Sequence, residues 1–120
     1  MRDLGTAAVG DALDRLGLAT QCTGLRPLHH SSRLFGPAFT VAMLPAAVEP
    51  GTVGDYIDDV PPGHVVVIDA RGRIDATVWG DLLTAAARKR SVAGTVIDGA
   101  CRDSARAGES LVRMLGLEAG

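Results

Sequence analysis

Residues 80–103, GDLLTAAARKRSVAGTVIDGACRD, decide the fold, because a helix pattern and a strand pattern follow each other there with a glycine between them. Residues 81–90 predict an amphipathic helix, with Asp81 suited to the N-cap and Gly94 ending the element. The apolar face of this helix comprises Leu82, Leu83, Ala86 and Ala87. Residues 95–98, TVID, then predict a short strand. We therefore expect a helix that leads directly into a core strand.

Further strand and helix patterns lie upstream of this stretch. Residues 65–69, VVVID, follow the turn signal Pro61-Pro62-Gly63 and predict a core strand. Residues 36–44, GPAFTVAML, predict a turn and a strand whose near-continuous apolar character indicates burial on both faces. Residues 6–16 carry apolar side chains at helical spacing and predict an amphipathic helix with Gly17 as its C-cap.

Three shorter segments complete the pattern. Residues 24–28 predict a loop or a short edge strand, because a proline at position 27 disfavours helix. Residues 55–60 predict a short helix, and residues 104–120 predict a C-terminal helix through Leu111, Met114 and Leu115. Strands that alternate with helices indicate an α/β fold with partly parallel pairing. We expect residues 1–120 to form a single domain.

Composition excludes several classes of function. The chain has 120 residues, a net charge of −2, 47% hydrophobic residues and 3% aromatic residues. This balance is typical of an ordinary soluble domain, and it lacks the basic stripe and stacking rings that nucleic-acid binding needs. No apolar run approaches the roughly 20 residues that span a bilayer, and no export leader precedes the first helix. We therefore expect a cytoplasmic protein that binds neither nucleic acid nor membrane, with Cys22 and Cys101 as reduced thiols.

Residues 80–83 and 101–103 carry the groups most suited to chemistry. A helix that begins near Gly80 offers free backbone N–H groups, which favour a bound carboxylate. Arg102 follows a glycine turn and its guanidinium can bind an oxo-acid, while Asp103 offers oxygen ligands suited to Mg²⁺. On spacing alone, an Arg-Asp pair such as Arg102-Asp103 is more often an exposed ion pair at a turn, and an Asp such as Asp81 is more often a plain helix cap than an acid-base group. The adjacent His29-His30 is more typical of a solvated loop than of a metal site.

Several spaced motifs resemble one family. Five of these pieces are VGDALDRLG at 9–17, GLRPL at 24–28, GPAFTV at 36–41, PGHVVVID at 62–69 and WGDLL at 79–83. Gly94, Val96, Asp98-Gly99 and Arg102-Asp103 follow in the same order. Over residues 3–105 the chain resembles the RraA-like family, which includes class II pyruvate aldolases acting on 4-hydroxy-4-methyl-2-oxoglutarate and 4-carboxy-4-hydroxy-2-oxoadipate. The resemblance implies a swivelling β/β/α sandwich with a small central sheet or barrel-like core flanked by helices.

The resemblance also implies a divided active site. Aldolase members carry an Asp, a spacer and then Arg-Asp, which is the pattern of Asp81, residues 82–101 and Arg102-Asp103. It implies that Asp103 holds a divalent cation, Mg²⁺ or Mn²⁺, and that Arg102 binds the pyruvyl carbonyl and stabilises the enolate. The amides of Gly80, Asp81, Leu82 and Leu83 would bind the substrate carboxylate. Asp81 would position a water as proton donor or acceptor.

The implied function is a metal-dependent lyase that releases pyruvate from 2-oxo acids, with oxaloacetate decarboxylation as a side activity. Relatives form homotrimers or dimers of trimers. Two alternatives remain open. One is a regulator that binds and inhibits a ribonuclease, as founding RraA proteins do. The other is an inactive truncated remnant, because the sequence departs from the family after Asp103, and a cooperative thermal melt would count against it.

Overall fold

A computed structural model describes residues 3–22, 24–27, 33–43, 55–71, 77–101 and 112–115. His29-His30, Arg102 and Asp103 lie outside the described residues. The helices are α1 (Thr6–Arg15), a 3-10 helix (Asp55–Asp59) and α2 (Asp81–Lys89). The strands are β1 (Leu25–Pro27), β2 (Ala38–Ala42), β3 (Val65–Asp69), β4 (Thr77–Trp79), β5 (Gly94–Asp98), β6 (Ala100–Cys101) and β7 (Val112–Leu115).

The strands form two sheets. The larger sheet has the order β1-β7-β5-β3-β2, in which β2, β3, β5 and β7 run parallel and β1 pairs antiparallel with β7. The smaller sheet is the parallel pair β4-β6. Helix α2 lies in the chain between β3 and β5, which pair in parallel and therefore need a crossover connection. The predicted α/β class with partly parallel pairing is therefore confirmed.

The core is built on β3 and β5. Val66, Ile68 and Ile97 are almost completely buried, and the two strands pair in register from Val65↔Gly94 to Asp69↔Asp98. A strand with neighbours on both sides and packing on both faces needs a continuous apolar sequence, which residues 65–68 supply. The two strands predicted from β-branched runs are confirmed.

Strand β2 is correctly predicted in place, but its predicted burial on both faces is wrong. Exposed and half-buried residues alternate along it, with Phe39 and Val41 on the half-buried face. Among the described strands, β2 pairs only with β3 and lies at the edge of the sheet. An edge strand has one face against the core, so its apolar sequence does not imply two covered faces.

The predicted C-terminal helix is also wrong where the structure describes it. Val112–Leu115 forms β7, which pairs in parallel with β5 from Thr95↔Val112 to Asp98↔Leu115. On its other side, β7 pairs with β1 from Leu25↔Leu115 to Pro27↔Arg113. Strand pairing on both sides satisfies backbone groups that β5 and β1 would otherwise leave unpaired at an edge.

Helix α1 ends one residue before its predicted end, with Leu16 as C-cap and Gly17 following in a left-handed conformation at φ 74°. No residue of α1 is buried, and Leu16 is 72% exposed. The amphipathic pattern thus forms a helix whose apolar side is left largely uncovered by the described residues. Among these residues, no helix is both long and apolar enough to cross a membrane.

Three shorter predictions are confirmed. Residues 25–27 form an edge strand, and residues 55–59 form a 3-10 helix. The turn predicted at Pro61-Pro62-Gly63 is present, with Gly63 at φ 78° and the amide of His64 donating to the carbonyl of Pro61.

Candidate functional site

The junction between β4 and α2 forms the centre of the candidate site. Gly80 is the N-cap of α2 and has an extended backbone, with φ −164° and ψ −165°. Asp81 is the first helical residue, so its prediction as N-cap is wrong by one position. Gly80 keeps the extended conformation of β4 and takes the N-cap position, so the helix starts one residue earlier than an N-cap at Asp81 would place it. The side chain of Asp81 lies outside the description.

The first turn of α2 presents its backbone amides at this junction. The first intrahelical bond runs from the amide of Thr84 to the carbonyl of Gly80, at 3.0 Å. The amides of Asp81, Leu82 and Leu83 precede that bond, and N–H groups in this position have no acceptor within their own helix. Their partial positive charge makes the start of α2 suited to a carboxylate.

A buried hydrogen-bond chain fixes this turn. The indole Nε1 of Trp79 donates to Oγ1 of Thr84 at 2.9 Å, and Oγ1 of Thr84 donates to the carbonyl oxygen of Gly80 at 2.8 Å. Trp79 is 2% exposed and Thr84 is 3% exposed. These two hydrogen bonds connect the last residue of β4, the N-cap and the first turn of α2; the Trp79–Thr84 bond is buried and the Thr84–Gly80 bond is half-buried.

The face of α2 that packs on the core differs from the predicted one. Leu83 and Ala86 pack against the core and Ala87 is buried, as predicted, but Leu82 is 84% exposed. Thr84 is buried in addition. A pattern of apolar residues alone does not identify a threonine whose hydroxyl is satisfied by a tryptophan N–H and a carbonyl.

Strands β4 and β6 directly precede the two halves of the Asp-spacer-Arg-Asp pattern in the sequence. They are parallel, with Thr77 opposite Ala100 and Trp79 opposite Cys101. Trp79 directly precedes Gly80-Asp81, and Cys101, which is fully buried, directly precedes Arg102-Asp103. The carboxyl ends of parallel strands lie at the same edge of a sheet, which is where ligands bind in many α/β proteins.

The structure thus places part of the predicted site. It brings the backbone of Gly80, Asp81, Leu82 and Leu83 next to the strand that ends at Cys101. Arg102 and Asp103 lie outside the described residues, so their roles remain predictions, as does that of the Asp81 carboxylate.

The donor chemistry of the predicted cation site suits a magnesium-type ion. Within the described part of the chain, no group of three or more His, Cys, Asp or Glu residues is arranged to hold a metal. Mg²⁺ commonly takes one or two protein carboxylates and keeps several waters. Asp103, the predicted donor for such an ion, lies outside the described residues, so the cation site stays a prediction.

Trp79 and Thr84 were not predicted as residues of the site. The sequence contains a signal for this pair, because a buried tryptophan such as Trp79 usually donates its indole N–H to a nearby acceptor. Thr84 lies four residues after Gly80, which is the spacing at which a threonine hydroxyl can bond back to a helical carbonyl.

The sequence matches one family model and is similar to two curated proteins. The family model described as RraA-like (Aldolase/RraA) matches residues 6–116. "Protein DlpA" of Legionella pneumophila is 43% identical over 102 residues, which cover 82% of this chain and 16% of that protein. A protein of Halalkalibacterium halodurans named "Putative 4-hydroxy-4-methyl-2-oxoglutarate aldolase" is 36% identical over 102 residues, which cover 85% of this chain and 47% of that protein.

A solved structure shows the same fold. Streptomyces coelicolor RraAS2, described as an unusual member of the RNase ES inhibitor RraA protein family, matches with a TM-score of 0.82 and 26% identity. The match covers 98% of this chain and 60% of that chain. The chain spans less than half the length of the two curated relatives. The predicted family and its fold are confirmed, and the chain belongs to the RraA-like family of aldolase/RraA proteins.

Proposed function

We propose that the protein is a divalent-metal-dependent aldolase that cleaves 2-oxo acids of the 4-hydroxy-4-methyl-2-oxoglutarate type to pyruvate. The observation that carries the proposal is the parallel pairing of Trp79 with Cys101. The residues that follow these two partners are Gly80-Asp81 and Arg102-Asp103, the two halves of the aldolase pattern. The relative named as an aldolase supports the same activity.

The amides of Asp81, Leu82 and Leu83 bind the substrate carboxylate in this proposal. They lie at the start of a nine-residue helix, whose dipole adds to the attraction of each N–H for an anion. The carboxylate of a 2-oxo acid is adjacent to the carbonyl that reacts. Binding it at α2 therefore orients the 2-oxo group for the bond cleavage.

Arg102 donates to the 2-oxo oxygen of the substrate. Cleavage removes the proton of the 4-hydroxyl group, breaks the C3–C4 bond and leaves a pyruvate enolate that takes up a proton at C3. A fixed guanidinium stabilises the negative charge that develops on the enolate oxygen. Asp81 holds the water that accepts the first proton and delivers the second.

Asp103 would hold the divalent cation, Mg²⁺ or Mn²⁺, and the chemistry that the cation would supply is electrostatic stabilisation of the enolate. Oxaloacetate loses carbon dioxide through the same pyruvate enolate, so the same residues support its decarboxylation as a side activity.

The test is release of pyruvate by the purified protein. We expect pyruvate above a protein-free blank from 4-hydroxy-4-methyl-2-oxoglutarate and from oxaloacetate when Mg²⁺ or Mn²⁺ is present, and no excess over the corresponding blank after chelation. Asp103→Ala should remove the activity, whereas Asp11→Ala, which removes an exposed carboxylate of α1, should retain it. Absence of metal-dependent pyruvate from both substrates would contradict the proposal.

A second candidate is a regulator of a ribonuclease. The similarity to RraAS2 supports it, because that protein is described as a member of an RNase inhibitor family. A regulator requires a docking surface but no catalytic groups. Retention of a purified ribonuclease of the RNase E type, unchanged by Asp103→Ala and without pyruvate formation, would favour this candidate over the aldolase.

We also propose that the protein works in the cytoplasm as a homotrimer or a dimer of trimers, without nucleic acid or membrane partners. Exposed leucines at the two ends of α1 support self-association: Leu4 precedes the helix, and Leu16 and Leu18 follow it. Light scattering coupled to size exclusion would measure the state, and a monomer at micromolar concentration would contradict it.

A further inference from the structure

We propose that Thr84 is a positioning residue that orients the Asp81 amide for the substrate carboxylate, with Trp79 as its anchor. This inference rests on the proposed function and adds two buried residues to its carboxylate site. Neither side chain needs to touch the substrate. Both act through the backbone carbonyl of Gly80.

The carbonyl of Gly80 is held by two bonds from the same residue. Its oxygen accepts from the amide of Thr84 at 3.0 Å and from Oγ1 of Thr84 at 2.8 Å. A carbonyl oxygen has two lone pairs, so both are engaged. The second bond restricts rotation of this carbonyl at the N-cap, where a helix tends to fray.

The direction of the Thr84 hydroxyl proton is set by Trp79. The indole N–H is only a donor, so Oγ1 of Thr84 must accept from it and has one proton left to give. That proton goes to the carbonyl of Gly80. Trp79 itself is buried and lies opposite Cys101 in the β4-β6 pair, which fixes the position of its backbone.

A fixed orientation of the Gly80 carbonyl also fixes the orientation of the Asp81 amide. The two groups belong to one planar trans peptide unit, in which C=O and N–H point in opposite directions. The carbonyl points into α2 toward Thr84, so the amide of Asp81 points out of the start of the helix. This is the direction in which an anion binds at a helix N-terminus.

Thr84 also connects the carboxylate site to the strand that precedes Arg102. The chain runs from Cys101 through the strand pairing to Trp79, then through the indole and hydroxyl to Gly80. Rigid support of this kind keeps the amides at a constant separation from Cys101.

The test uses Thr84→Val, which keeps the shape of the side chain but removes the hydroxyl, and Thr84→Ser, which keeps the hydroxyl. Amide chemical shifts of residues 81–83 are recorded by NMR without ligand and during titration with pyruvate and Mg²⁺. In the wild-type protein these amides should shift on addition of pyruvate. Thr84→Val should move them before any ligand is added and weaken pyruvate binding about tenfold, the loss of about one hydrogen bond.

Kinetics separate a positioning role from a purely structural one. Amides that bind the carboxylate equally in the ground and transition states affect KM, so Thr84→Val should raise KM for oxaloacetate about tenfold with little change in kcat. Thr84→Ser should bind pyruvate within about twofold of wild type. Trp79→Phe keeps a ring in the core but removes the donor, and it should shift the same amides. Trp79 is the sole tryptophan, so its fluorescence reports directly whether Thr84→Val retains a native environment.

The outcomes distinguish the positioning role of Thr84 from the carboxylate site itself. Unchanged shifts of residues 81–83 and unchanged pyruvate affinity in a folded Thr84→Val variant would overturn the positioning role alone. Loss of affinity in Thr84→Ser as large as in Thr84→Val would also overturn it, since the hydroxyl would not matter. Wild-type amides that ignore pyruvate would contradict the carboxylate site of the proposed function, and with it this inference.

Discussion

The carbonyl oxygen of Gly63 occupies the space in which a side chain at Gly36 would begin. Gly63 cannot easily move away, because its amide donates to the carbonyl of Ser91 at 2.8 Å. The neighbouring amide of Val65 donates to the carbonyl of Pro37 at 2.8 Å, which holds the same two segments together. This contact aligns the start of β2 with the start of β3.

We predict that Gly36→Ala lowers the free energy of unfolding by about 1–3 kcal/mol, the usual cost of forcing extra volume into a packed contact. Gly10→Ala is the matched control, because a Cβ at Gly10 would meet nothing within 4 Å and Gly10 lies inside α1. That change should raise stability by roughly 0.5–1 kcal/mol through helix propensity. Urea unfolding measures both, and equal effects of the two substitutions would contradict the contact.

The orientation of α2 predicts that two adjacent leucines contribute differently to stability. Leu82 is largely exposed, whereas Leu83 packs against the core. Leu82→Ala should change the free energy of unfolding by less than about 0.5 kcal/mol, and Leu83→Ala should lower it by about 1–3 kcal/mol. A loss for Leu82→Ala as large as that for Leu83→Ala would contradict the exposed position of Leu82 on α2.

Tyr56 should make the folded protein less stable at alkaline pH. Its ring stacks on Phe39 with centroids 6.3 Å apart, and its hydroxyl is buried without a hydrogen-bond partner in the described part of the chain. Burial raises the pKa of Tyr56 well above its ordinary value of 10.0. Below that value both states hold the proton, but above it only the unfolded state ionises, so stability should fall as pH rises.

The measurement compares wild type with Tyr56→Phe by urea unfolding at about pH 9 and about pH 11. The wild-type protein should lose more stability between these values than the variant. At the lower pH, Tyr56→Phe should cost little, because no hydrogen bond is lost. Tyr56 is the sole tyrosine, so the ultraviolet signal of its phenolate can be followed directly. Ionisation of the folded protein near pH 10 would contradict the burial effect.

The central strands were predictable because their apolar sequence matches the buried environment that they occupy. Residues 65–68 and 95–97 are β-branched or apolar throughout, and only a buried strand of this length needs such a sequence. Strand β7 was not predictable in the same way. Met114 and Leu115 also fit a helical spacing, and the requirement that selects the strand is long-range, namely the pairing of β5 and β1 with the same segment.

The candidate site was likewise predictable only where local sequence determines the structure. Its helix was expected from the spacing of apolar residues, and the family resemblance supplied the pattern that includes Asp81. The burial of Thr84 was not expected, because amphipathic spacing treats every polar residue as exposed. Its position depends on Trp79, a partner from another element whose hydrogen bond becomes visible only in three dimensions.

Arg102 gives the sharpest prediction of activity. If its guanidinium stabilises the enolate, Arg102→Ala should lower kcat for pyruvate formation by about 10²–10³, the usual effect of removing one donor to a developing oxyanion. Arg102→Lys keeps the charge but not the planar fork, and it should recover only part of the loss. Arg15→Ala, which removes an exposed arginine from the last turn of α1, is the matched control and should retain full activity. Steady-state kinetics with saturating Mg²⁺ measure all three, and a full-rate Arg102→Ala variant would remove Arg102 from the mechanism, because a transition-state contact must lower kcat when it is lost.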